Sequence, residues 1–282
     1  MLETTTATVA SLRPSDLADV LALLDRDPAT NVFVASRVRA SGLAPSHLGG
    51  DLWGYREAGR LVAMCYSGAN LVPVAASPEA ARTFAELAAR RGRRCSSMLG
   101  PATAVLAMWD VLQSFWGSAR EVRPHQPLLA IAGSPAVPAD PLVRRVLPHE
   151  IDTVLPACVA MFTEEVGVSP VGADGGAYYR ARVAEMVSSG RAFARFENGE
   201  VLFKAEIGAA TPQACQVQGV WVRPDRRGEG LCAPGMAAVV QSAQRDIAPV
   251  VTLYVNDYNV AARSAYRRVG FAEIGEFATV LF

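Results

Sequence analysis

The densest grouping of chemistry-bearing residues in the chain is Val222-Arg-Pro-Asp-Arg-Arg-Gly-Glu-Gly-Leu-Cys-Ala233. Gly228 and Gly230 allow backbone to approach a ligand closely and to aim successive N–H groups at it. The alanine-rich run that follows has helical character. The first N–H groups of a helix are unsatisfied and carry partial positive charge. Arg226 and Arg227 add charge-assisted donors. This stretch therefore suits an anion, and phosphate or pyrophosphate is the natural ligand. Pro234 is compatible with the helix because its missing N–H falls at or near the unsatisfied first turn.

The elements on either side must hold that loop. Cys215-Gln-Val-Gln-Gly-Val-Trp-Val222 reads as a strand leading into it. A Walker loop needs a lysine that this stretch lacks. The dinucleotide fingerprint is matched nominally by Gly228-Glu-Gly-Leu-Cys-Ala233, but its glycines come directly off the strand, and here Arg223-Pro-Asp-Arg-Arg227 intervenes. An ordinary charged turn is the plain alternative. Further on, Val250 to Phe271 reads as a β-rich strand, Asn259 as a helix cap, a short helix and a Gly270 stop.

The strand, loop and helix at "VWVRPDRRGEGL" resemble the acyl-CoA pyrophosphate loop of the GNAT N-acetyltransferase superfamily. Asn256, Asn259, Ala262, Tyr266, Gly270 and Phe271 resemble its C-terminal signature, in the expected order. Two departures are Asp225, where the family has Arg or Gln, and Cys232, where it often has Gly. The likeness covers roughly residues 142 to 282, and the whole chain resembles a bacterial tandem-GNAT family with a degenerate N-terminal half.

That resemblance implies acetyl transfer from acetyl-CoA to an amine, on a small molecule or a protein, by direct attack in a ternary complex. It implies cofactor contacts from Val220, Trp221, Val222, Arg227, Gly228, Glu229, Gly230, Leu231, Cys232, Ala233, Asn256 and Asn259. The strands at 215–222 and 250–256 would splay apart, with backbone N–H groups near Val220 and Val222 polarising the thioester carbonyl. Tyr266 matches the position that protonates the departing thiolate in many members; a tyrosine that merely packs is the alternative. Glu206 is the expected base, its pKa raised by burial, with Gln216 and Gln218 as an alternative water relay. Glu164 and Glu165 follow the first helix of this half, where the family places acceptor-binding residues. A non-catalytic acyl-CoA-binding sensor is the second reading of the same motifs.

Composition bounds the partners. The 282 residues are 51% hydrophobic and 19% charged, with Lys plus Arg equal to Asp plus Glu at 27 each. A sizeable core is expected, and no global field favours nucleic acid or an anionic membrane. No apolar run reaches membrane-spanning length, and the N-terminus lacks the pattern of a signal peptide. The cysteines are scattered, as in cytoplasmic proteins, and His47, His125 and His149 have no neighbours at metal-ligand spacing, so no metal is expected.

The chain begins twice. Leu12-Arg-Pro-Ser-Asp is echoed by Val146-Leu-Pro-His-Glu, and Glu57-Ala-Gly-Arg by Glu197-Asn-Gly-Glu. Ala132 to Pro141 is Pro/Ala-rich and reads as a linker. The expected fold is α/β (α+β) in two GNAT-like halves, each a mixed, mainly antiparallel splayed sheet flanked by helices. The halves are 1–131, degenerate and without the glycine loop, and 142–282, which binds acetyl-CoA; 132–141 joins them.

Overall fold

The computed structural model describes residues 7–172 and 175–282. Residues 1–6, where the N-terminus lacks a signal-peptide pattern, lie outside the described residues. The chain divides into two compact units: unit 1 is Met1–Leu128, Tyr254–Tyr258 and Glu273–Phe282, and unit 2 is Leu129–Leu253 and Asn259–Ala272. The contiguous spans expected from the sequence differ from these at the C-terminal end, which groups with unit 1.

In chain order the elements begin with β1 (Thr8–Ser11), α1 (Leu17–Leu24), α2 (Pro28–Ser41), α3 (Pro45–Leu48), β2 (Gly50–Glu57), β3 (Arg60–Gly68) and β4 (Asn70–Val74). There follow α4 (Pro78–Arg91), β5 (Ser97–Pro101), α5 (Ala102–Trp116), β6 (Glu121–Ile131) and the two-residue β7 (Arg144–Arg145). Then come α6 (Ile151–Val166), α7 (Ala177–Ser188), β8 (Ala192–Glu197), β9 (Glu200–Ala210) and β10 (Ala214–Val222). The last elements are α8 (Cys232–Asp246), β11 (Val250–Tyr254), α9 (Val260–Val269) and β12 (Ala272–Leu281).

In unit 1 the strand order is β1-β2-β3-β4-β5-β12-β6. Alternation along the strands feeds two cores, as a period of two requires. Trp53, Tyr55, Ala63 and Cys65 join Phe84 of α4 and Met108 of α5 on one face. Leu52, Met64 and Tyr66 join Val20 and Leu24 of α1 and Val34 and Val38 of α2 on the other. The chain's last strand, β12, lies antiparallel to β5 and buries Phe277, Ala278 and Val280 there.

In unit 2 the order is β7-β8-β9-β10-β11. Val154 and Cys158 of α6 and Val183 and Val187 of α7 cover one face, against Ala194, Val201 and Trp221. Gly235 in α8 faces the ring of Phe203, where an added Cβ would lie 2.9 Å from three ring atoms. That glycine brings the start of α8 close to the sheet. The linker is ordered against this unit: Ala136 N donates to Val269 O and Asp140 N to Pro234 O.

Both sequence echoes recur as geometry. Each hairpin turns over two residues of positive φ, Ala58 and Gly59 in one and Asn198 and Gly199 in the other, as a type I′ turn demands. Each hairpin has an irregularity one residue further in, at Tyr55/Arg56 and Arg195/Phe196. Each unit's first long helix is entered through a short 3₁₀ turn whose acid reaches back to backbone: Asp16 accepts from Arg13 N and Glu150 from Leu147 N, both at 2.8 Å.

Candidate active site

The strand β10 positions the site. It pairs in parallel with β11 only from Ala214 to Gln216, opposite Val250 to Thr252, although it runs on to Val222. The β11-facing edge of its second half is therefore unpaired by β11, and such an edge offers backbone donors and acceptors to an extended ligand. On its other side β10 is antiparallel to β9 and bulged: Gln218 pairs with Glu206 and Trp221 with Lys204, so Gly219 and Val220 oppose Ala205 alone. Gly219 has φ +60°, and an added Cβ would meet Met161 at 3.0 Å and Lys204 Nζ at 3.2 Å. Only glycine fits there.

Beyond Val222 the chain makes a 3₁₀ turn at Pro224–Arg226 and enters the exposed loop Arg227–Gly230. Gly228 and Gly230 take φ +86° and +80°, and an added Cβ at either meets nothing within 4 Å. The glycines are thus demanded by backbone conformation, with open space beside them. α8 then starts at Cys232 with no side-chain cap, leaving its first N–H groups available. Leu231 and Cys232 are half-buried and Ala233 is buried at this start. The loop's charges are already engaged. Arg226 pairs with Glu197 and Glu229, each at 2.8 Å. Arg227 pairs with Glu164 at 2.7 Å and donates through Nε to Val222 O.

Glu164 also accepts from Trp221 Nε1 at 3.3 Å. The end of α6 thereby ties the strand to the loop. The negative charge of Glu165, next to it, helps to raise the pKa of the Tyr266 phenol. Tyr266 on α9 is 5% exposed and meets Phe271 edge-on at 6.0 Å. Burial is the main cause of its raised pKa, with Cys232 and Glu165 adding to it, so the phenol keeps its proton throughout the neutral range. Its hydroxyl makes no hydrogen bond among the described residues. Burial pushes the Cys232 thiol up to about 11, against an opposing pull from Arg268, which removes the thiolate a nucleophile would need.

Glu206 departs from the sequence expectation. Desolvation is the largest single influence and acts to raise its pKa, but Lys204 beside it, Arg182 and Gln218 together outweigh it and the carboxyl is held below its ordinary value. Lys204 Nζ lies 2.6 Å from Glu206 Oε1 and donates to Gly219 O at 3.1 Å, with the lysine side chain 1% exposed. Cys158 Sγ donates to the same carboxylate at 3.7 Å, and Gln218 hydrogen-bonds it. Lys204 and Cys158 were not singled out from sequence. The available signal was Lys-x-Glu in an apolar strand, since residues two apart share a face.

The two predicted asparagines serve the backbone and the first unit. Asn259 caps α9, accepting from Ala262 N at 3.1 Å. Asn256 belongs to unit 1, where its Oδ1 accepts from Gln126, which in turn accepts from Thr279. Unit 1 has a counterpart of the parallel pair, β4 with β5 at Asn70–Leu71 and Ser97–Met98. There, however, Ser77 caps α4 by accepting from Ala80 N, and Pro78 opens the helix. Among the described residues no group of His, Cys, Asp and Glu is arranged to hold a metal ion, and no helix is long and apolar enough to cross a membrane.

Comparison with known proteins agrees with this geometry. Residues 169–271 match the acetyltransferase (GNAT) family, and residues 50–154 match a domain of unknown function, DUF4081. No curated protein matches the sequence. A GCN5-related N-acetyltransferase from Sphaerobacter thermophilus is similar over 97% of this chain and 94% of its own, with TM-score 0.58 and 17% identity. A GNAT-family acetyltransferase from Colwellia psychrerythraea is similar over 98% and 99%, with TM-score 0.54 and 13% identity. A tandem GNAT protein from the clavulanic acid biosynthesis pathway is similar over 97% and 98%, with TM-score 0.54 and 16% identity. At such identities the likeness is one of fold. The structure has the fold of GNAT proteins, tandem ones among them, and residues 169–271 are similar in sequence to the acetyltransferase (GNAT) family.

Proposed function

We propose that unit 2 transfers an acetyl group from acetyl-CoA to an amine. The observation that carries this reading is the parting of β10 from β11 beside a bulge, ahead of two left-handed glycines and the uncapped start of α8. The pyrophosphate would lie on the Arg227–Ala233 turn, received by backbone N–H groups and the helix dipole. Arg227 could serve it only by sharing its charge with Glu164. The pantetheine would pair with the free edge of β10 near Val220 and Val222, whose N–H groups polarise the thioester carbonyl. The amine nitrogen attacks that carbonyl, the C–S bond breaks, and Tyr266 gives its proton to the leaving thiolate. Glu206, kept ionised by Lys204, takes the amine's proton through water held by Gln218. Glu165 is the acceptor-side carboxylate, while Glu164 steadies the loop. Because Ser77 and Pro78 occupy the start of α4, unit 1 binds no acyl-CoA. Calorimetry should give one acetyl-CoA site per chain, and CoA release should depend on one member of an amine panel. No acetyl-CoA binding, or two sites, overturns the reading.

A second reading, an acyl-CoA-binding sensor without chemistry, is favoured by the Lys204–Glu206 pair, because a carboxylate with a lowered pKa is a weak base. Tight acetyl-CoA binding with no turnover across a broad amine panel would select it.

A further inference from the structure

Lys204 Nζ donates to Glu206 Oε1 at 2.6 Å and to Gly219 O at 3.1 Å, and Cys158 from α6 donates to the same Glu206 oxygen. A lysine ammonium has donors and no acceptor, and this one is spent on those two oxygens in a pocket where its side chain is 1% exposed. One of those acceptors is the carbonyl of the bulge itself. The bulge backbone has no side chain of its own to hold it, since Gly219 has none and its φ of +60° lies in a region glycine visits freely. Left alone, a glycine bulge in a strand whose outer edge is unpaired has several conformations of similar energy. The charge-assisted bond from Lys204 selects one.

We propose that Lys204 is a positioning residue for acyl-CoA: it fixes the Gly219–Val220 bulge and so sets the backbone N–H groups that receive the thioester carbonyl. This rests on the acyl-CoA reading above. Lys204 touches no reacting atom and acts through Gly219. Glu206 is the counter-charge that makes a buried ammonium tolerable. The pair is faced by Cys158 from α6, Tyr179 and Arg182 from α7, and Gln218 from β10. Gln218 has room because Gly208 opposite lacks a Cβ, which would sit 2.2 Å from its Oε1.

The test uses the full chain, with calorimetric titration of acetyl-CoA, amide exchange at Val220 and Trp221, and thermal melting. Lys204→Met keeps the apolar stem and removes the donors, but leaves Glu206 buried without its partner. The double variant Lys204→Met/Glu206→Gln removes both charges, so its folding does not require a bare buried carboxylate. Neutral replacement of a buried pair is often tolerated, so the double variant should melt within a few degrees (~5 °C) of the parent. It should nonetheless bind acetyl-CoA roughly tenfold or more weakly, and exchange Val220 and Trp221 amides faster, because Gly219 O has lost its donor. A merely structural lysine would move the melting temperature of the single variant and leave the double variant's affinity at the parent value. Parental affinity and parental exchange in the double variant overturn the proposal. A parent chain that does not bind acetyl-CoA overturns the acyl-CoA reading instead, and amide exchange then still reports whether Lys204 holds the bulge.

Discussion

Two glycines near the start of α8 should separate function from folding when each is changed to alanine. Gly230 has φ +80° and empty space around an added Cβ. The cost of Gly230→Ala to the folded chain is therefore conformational only, about 1–2 kcal/mol for an L-residue in the left-handed region, and less where an exposed loop relaxes. For a chain in this size range that is a fall of roughly 2–8 °C in melting temperature. The same methyl projects into the space a pyrophosphate would enter, and relaxation would turn the N–H groups away, so acetyl-CoA affinity should fall at least tenfold, ~1.4 kcal/mol. At Gly235 the terms reverse. Helix propensity alone favours alanine by about 1 kcal/mol. The new Cβ would nevertheless sit 2.9 Å from three atoms of the Phe203 ring, which is 1% exposed and cannot swing aside. Overpacking of that kind costs about 1–3 kcal/mol, so Gly235→Ala should be net destabilising by up to ~2 kcal/mol. Differential scanning calorimetry and acetyl-CoA titration on both variants give the answer. If Gly235→Ala melts higher than the parent, or Gly230→Ala binds acetyl-CoA as the parent does, the reasoning from Cβ environment fails.

Three further outcomes are expected. Tyr266→Phe keeps the ring against Phe271 and should leave acetyl-CoA affinity nearly constant while turnover falls ~10²–10⁴-fold; the loss should shrink with a thioester whose thiol leaves more easily, and parental turnover would remove Tyr266 from the mechanism. Hydrogen bonds from Arg144 and from the Leu147 N–H, with the nearby cations, outweigh partial burial and hold the Glu150 carboxyl down, at about 2 in the folded chain against a usual 4.5. A depressed carboxyl stabilises above its unfolded pKa, so this contribution should be lost as pH falls from 4.5 toward 2; Glu150→Gln should melt lower at neutral pH and converge with the parent in acid, and parallel melting curves at every pH would refute it. A fragment of residues 142–282 carries β12 without β5, leaving Phe277 and Val280 uncovered; it should aggregate, and a soluble, active fragment would show that this strand can be satisfied otherwise.

What the sequence yielded was local. The turns at Ala58-Gly59 and Asn198-Gly199, the Asn259 cap and the glycines at 228 and 230 are each specified by residues within a few positions, because backbone sign and helix caps are short-range properties. The whole strand–loop–helix frame of the candidate site followed from them. The arginines were read correctly as cations near the loop but not as partners of Glu164, Glu197 and Glu229, since those carboxylates arrive from other elements. The cations at and just after the end of α4 show the same limit: Arg91 lies over the Trp53 ring at 5.1 Å and pairs with Asp51, and Arg93 lies over Phe282 at 4.8 Å. A flexible cationic side chain finds its partner by tertiary proximity, which one-dimensional spacing does not encode.

The harder failures concern burial and strand destination. Glu206 was expected to titrate high because burial was the only force visible; the outcome turned on Lys204, two positions away on the same strand face. Period-two alternation already placed both side chains together, so the missing piece was that α6 and α7 cover that face and exclude water. Desolvation of a lone carboxyl raises its pKa, while desolvation of a hydrogen-bonded ion pair strengthens the partner's pull as well. Likewise the expected half 142–282 kept the end of the chain for itself, and nothing local says that β12 will lie against β5, separated from it by most of the chain. Strand pairing is settled by which edges are open once the other elements have packed. A sequence echo can reveal that a unit was duplicated, but it does not tell which copy each strand completes.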